Sequence, residues 1–138
     1  MTQEVGENLP VGNINFLEQL RLHLDVYRNH FELFVKAMGL YFAALGAIGG
    51  LMYRDGVSRS SQVAFSALIV SGSIIFLDGC IVSLRWVRDL EVSVRGAEMQ
   101  LGIKPFPFSG ANGVIGVMMV VCVIFALFGV VNLAILAK

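Results

Sequence analysis

Charge is what this sequence has least of. Asp, Glu, Lys and Arg make up 14% of its 138 residues, against 57% hydrophobic residues, and the mean hydropathy is +0.77. Soluble domains run near ~25% charged, so the composition points to an integral membrane protein in one compact unit. Ten basic and ten acidic residues cancel, which leaves no bulk field to attract nucleic acid. Only two cysteines occur, Cys80 and Cys122, each inside an apolar run. They read as small buried hydrophobes, not as a metal-binding or redox pair. The two histidines, His23 and His30, stand seven apart, whereas metal-binding helical pairs prefer a spacing of four. They read as part of a solvated face, with pH sensing as a residual role. The first thirty residues lack the basic, apolar and small-residue regions of a signal peptide. Catalysis has no foothold: there is no nucleophile, base and orienter set, no Gly-rich phosphate loop, and no His/Cys/carboxylate cluster. Neither an enzyme nor a cofactor is expected.

What is present is organised around residues 13–53. Leu17, Leu20, Leu24, Tyr27, Phe31, Phe34, Met38, Tyr41, Leu45, Ile48 and Met52 recur in steps of three and four, a heptad seam. Between seam positions the residues are polar up to Glu32 and almost all Gly, Ala, Leu or Phe from Ala37. The pattern predicts one helix of roughly 60 Å that begins in water and ends in lipid. Its span covers 33–53, with Lys36 snorkelling at the entrance and Asn13 as the N-cap. Residues 1–12, with Gly6, Pro10 and Gly12, read as a flexible tail. A second stripe, Gly39, Ala43, Gly46 and Gly50, lies about 100° round the helix from the seam. Small residues at this spacing let another helix come close in lipid, and that helix is either this chain's own second span or a partner's.

A polar turn with Asp55-Gly56 follows, and Ser60 or Ser61 can cap the next helix. Helix two is expected over 63–101, with a span at 63–84. Its seam of Ile69, Ser73, Phe76, Cys80, Ser83, Val87, Leu90, Val94, Ala97 and Leu101 runs past the membrane to Gly102. Two amphipathic extensions on one side can bury their seams against each other as a helical stalk; the rival is an interfacial helix over 86–101. Pro105 and Pro107 force an extended return, with Phe106 and Phe108 packing on the extensions or sitting at the interface. Span three is 114–136. The expected fold is therefore all-α, with three transmembrane helices and helices one and two extended into a stalk. Arg21, Arg28, Lys36, Arg85, Arg88, Arg95 and Lys104 fall on one side, and only Arg54, Arg59 and Lys138 on the other. The positive-inside rule makes the first side cytoplasmic, with the N-terminus inside and the C-terminus outside.

Asp78 is the leading site residue, roughly 10 Å into the bilayer by its distance along the helix from Arg85. An intramembrane acid is a functional-site candidate by default. Three readings stand: a structural pair with Lys36, a water-filled path lined by Ser71, Asp78 and Arg85, or a proton-accepting transport site. Ser71, Asp78 and Arg85 are spaced by seven and share one face, and a ring of acids favours cations. Asn132 reads as interhelical hydrogen-bond glue.

The stretch Phe31-Glu-Leu-Phe-Val-Lys36, followed by Tyr41-Phe-Ala-Ala-Leu-Gly-Ala47, resembles the first span of many small, uncharacterised bacterial inner-membrane proteins. The layout of span two, Leu84-Arg-Trp-Val-Arg88, helix and span three is similar to the three-span membrane domain of the vacuolar transporter chaperone and its bacterial relatives. Their basic signature at the entrance of span one is missing; only Lys36 stands near it. The resemblance implies topology, not function. The expected function is a small homo-oligomeric channel or pore-forming effector in the lipid bilayer. The alternative is a non-conducting accessory or anchor that binds a cytoplasmic protein partner.

Overall fold

The structure, a computed structural model, describes residues 11–138, and side chains from Phe16 onward. The expected flexible tail lies almost wholly outside the described residues. Three helices follow in order: α1 Val11–Met52, α2 Arg59–Leu101 and α3 Ser109–Leu136. All three are long and apolar enough to cross a membrane. The fold is all-α, as the periodicity requires, with α2 packed between α1 and α3.

The heptad seams are what α1 and α2 bury. Leu20, Phe34, Leu45 and Met52 of α1 are buried, as are Ile69, Ser73, Cys80, Ser83, Val87, Leu90 and Val94 of α2. One cluster joins Leu20, Phe34, Val87, Leu90 and Val94 to Phe108, Ile115 and Met118, and a second joins Leu45, Met52 and Ile69 near the α1–α2 turn. The charged ends of α1 and α2 thus share a core. Residues 86–101 continue α2 as one uninterrupted helix.

Several ends differ from expectation. Helix α1 already includes Asn13, which therefore sits inside the first turn and not before it. The cap of α2 is Ser58, not Ser60 or Ser61: its Oγ accepts from the Ser61 amide at 3.2 Å, and helix starts at Arg59. Gly102 ends α2 in the left-handed region, φ 64°, which glycine adopts without Cβ strain. Helix α3 begins at Ser109, five residues before the expected Val114. The apolar run alone does not mark this start, because the first turns of α3 are held by packing. Phe108 and Ala111 are both buried, and the helix itself covers ground that an extended return had been expected to cross.

At the opposite end, the Arg59 guanidinium donates to the carbonyl of Leu136, with Nε at 2.8 Å. It satisfies one of the carbonyls that a helix C-terminus leaves unpaired, and it ties α3 to the start of α2.

A candidate membrane site on the outer faces

The inner face of α2 is built for close approach. Ser66, Ser73 and Cys80 stand at seven-residue spacing and are all buried. Gly129 of α3 lies against the first of them: a Cβ there would sit 2.6 Å from Val70 Cγ2 and 3.1 Å from the Ser66 carbonyl oxygen. The sequence reading did not single out Gly129. Its only advance signal is a glycine set apart from Gly110, Gly113 and Gly116 in the most apolar helix. Between the three helices, Tyr41 Oη and Ser73 Oγ are 2.9 Å apart. Both cysteines are fully buried and free. Their burial agrees with the reading as small buried hydrophobes. Among the described residues no group of three or more His, Cys, Asp or Glu forms a metal set.

The polar residues singled out from the sequence lie on the outside of this single chain. Ser71, Asp78 and Arg85 are exposed on the side of α2 turned away from α1 and α3. Lys36 is exposed as well, and its Nζ binds Glu32 Oε1 one turn back at 2.7 Å. The Lys36–Asp78 pair expected within the chain is not made. Lys36 projects from the outer side of α1, whereas the α1 seam faces α2. Hydrogen bonding and attraction from Lys36 lower the Glu32 pKa. Gly39, Ala43, Gly46 and Gly50 are exposed too, and a Cβ on Gly39, Gly46 or Gly50 would meet nothing within 4 Å. The chain's own α2 does not use this stripe. Asn132 donates to the Phe128 carbonyl in its own helix at 2.9 Å and makes no bond between helices. An intrahelical carbonyl four residues back is within reach of its amide wherever the neighbouring helix lies.

The charged end holds the aromatic residues. Tyr27 packs edge-on against Phe106 and Phe108, with ring centroids 5.8 and 5.2 Å apart, and burial raises its pKa. His30 lies against Trp86, centroids 4.1 Å apart. Its Nε2 is buried without a hydrogen-bond partner, and burial lowers its pKa from 6.5. His30 is therefore part of the α1–α2 contact, whereas His23 hydrogen-bonds the Gln19 carbonyl on the exposed face. Glu98, only 4% exposed, accepts from the Phe106 amide at 2.7 Å. That bond fixes the Pro-Phe-Pro return onto α2. A groove of about 550 Å³, lined by Leu24, Tyr27, Phe31, Val35 and Phe106 and rimmed by Asp25, Arg28 and Glu32, opens on this end.

The architecture defines a three-helix membrane protein with its polar lines turned outward. No protein-family model, curated protein or solved structure matches the chain.

Proposed function

We propose that this chain is a small homo-oligomeric channel, or pore-forming effector, of the bacterial inner membrane, without enzymatic activity. Its N-terminus is cytoplasmic, its C-terminus is outside, and the charged ends of α1 and α2 form a cytoplasmic stalk. One observation carries this reading: Ser71, Asp78 and Arg85 form an exposed line on α2, directed away from the bundle. An acid at bilayer depth is costly against hydrocarbon, by ~2.5–3.5 kcal/mol on insertion scales. Other copies of the chain, and water enclosed between them, remove that cost, and an enclosed acidic ring favours cations. The test is ion flux through liposomes containing purified protein, with wild type and Asp78→Asn compared. Conduction whose cation selectivity falls in the variant supports the channel; an assembled protein that never conducts defeats it.

The alternative, a non-conducting anchor for a cytoplasmic protein, is favoured by a different feature. The apolar groove beside Tyr27, Phe31 and Phe106 lies among charges at the stalk end, the apolar centre and polar rim of a protein-binding surface. Capture of one specific soluble partner through residues 13–35, without conduction, would establish that reading.

A further inference from the structure

The outer faces of α1 and α2 match each other in charge, depth and shape, although within one chain they never meet. On α1, Glu18, Arg21, Asp25, Arg28, Glu32 and Lys36 alternate in sign at three- and four-residue steps, and all six are exposed. The same helical face continues into Gly39, Ala43, Gly46 and Gly50 with no break in rhythm. On α2 the outer line has the same period: Ser71, Asp78 and Arg85 lie on it with Asp89 at its charged end, all exposed. The apolar positions between them, Ile75 and Val82, are exposed too.

Depth comes from contacts inside the chain. Helices α1 and α2 are antiparallel, and Tyr41 meets Ser73 while His30 meets Trp86. Counting along both helices from these two contacts puts Asp78 about level with residue 37, Arg85 with about residue 30 and Asp89 with about residue 26, at ~1.5 Å per residue. Lys36 is the charged residue of α1 nearest the Asp78 level and is opposite to it in sign; Glu32 lies two residues, about 3 Å, from the Arg85 level, as far as Arg28 on the other side, and the charge nearest the Asp89 level is Asp25, of like sign. Copies of one membrane protein insert with the same orientation and at the same depth, so these levels also hold between neighbours.

We infer that α1 of one copy docks by its outer face on the outer face of α2 in the next copy, pairing Lys36 with Asp78 and Glu32 with Arg85. This rests on the homo-oligomeric reading above and names its interface. The Lys36–Glu32 ion pair seen in the single chain becomes the middle of a four-charge row with Asp78 and Arg85 of the neighbour at its ends. Below it, the small residues of α1 receive Ile75 and Ser71, which lets the two backbones approach as helices do in lipid. The contact joins two different surfaces, so repeated copies close into a ring when the rotation between them closes. The row supplies Asp78 with a counter-charge within the bilayer.

The test is a charge swap read by native mass spectrometry in nanodiscs. Lys36→Asp alone and Asp78→Lys alone put like charges together, and each should abolish the main assembly; the double variant should restore it. A second swap, Glu32→Arg with Arg85→Glu, repeats the test at an independent pair, with helix content by circular dichroism showing that each chain is folded. Mixed copies carrying Ala43→Cys or Ser71→Cys should cross-link to each other, since native Cys80 and Cys122 are fully buried. If wild type assembles while the single variants keep its mass and no cross-link forms, the interface is overturned and the oligomer stands. If wild type is a monomer in lipid, both fall.

Discussion

Helices α1 and α3 both pack on α2, by opposite means. The α3 contact uses small groups: Gly129 of α3 lies against the backbone of α2 at Ser66 and Val70, and the two helices come close there. The α1 contact uses large ones: Phe34, Tyr41 and Phe76 fill the space in the membrane, and Tyr27, His30, Trp86 and Phe108 fill it at the charged end. In lipid no hydrophobic drive holds helices together, and close packing does that work. The α2–α3 pair is thus the fixed body of the molecule. Helix α1 is an outer element that gives α2 one face and leaves another open.

The largest expected effect breaks the first contact. Gly129→Leu forces a side chain into the Ser66 carbonyl and Val70. Backbone cannot step aside as a side-chain tip can, so the cost lies at or above the ~1–3 kcal/mol usual for overpacking. Thermal unfolding in detergent should show a lower midpoint than for Gly116→Leu, where an added Cβ meets nothing within 4 Å. An equal loss at both positions would show that α3 approaches α2 no more closely at Gly129 than at Gly116. Next comes Glu98→Ala, which leaves the Phe106 amide without its acceptor, a loss of about 1–2 kcal/mol. Hydrogen exchange at Phe106 should rise while the Gly129 region stays protected.

The smallest effect is at His30. Burial lowers its pKa below 6.5, so the native state favours neutral imidazole. The α1–α2 contact is at full strength above pH 6.5, weakens as pH falls from there toward the native pKa, and is constant below it, because the unfolded chain takes up the proton first. Its pKa shift has burial as its only cause. Tyr27 shares the charged end of α1, and the charged groups nearest along the helices, Arg28 and Glu32 on α1 and Arg85, Arg88 and Asp89 on α2, are exposed. Trp86 is the single tryptophan, so its emission reports the contact directly. A pH-dependent change that His30→Gln removes is expected, and one that survives the substitution would assign the titration elsewhere.

The seams were legible because a three-four repeat of apolar residues fixes which side of a helix is buried, and Leu20, Phe34, Leu45, Ile69, Val87 and Val94 are where that repeat puts them. Helix ends were less so. Ser60 and Ser61 read as the caps of helix two, whereas the path of the turn puts Ser58 there, and Phe108 seats α3 through a contact with Tyr27 far away in sequence. The candidate site was legible as a line and not as a contact. Spacing shows that Ser71, Asp78 and Arg85 share a face, and that Lys36 and Asp78 lie near one depth. It does not show the angle at which α2 sits around α1. That angle turns Asp78 outward, and it separates a pair that sequence distance alone would have joined. Gly129 was missed for the same reason, since a glycine matters only once its opposite surface is known.

The most direct measurement is the mass of the protein in lipid nanodiscs by native mass spectrometry. A discrete assembly of four or more chains is the predicted result, because the outer lines of α1 and α2 then meet around an axis. A monomer or dimer would contradict it, leaving Asp78 exposed with no ring to face.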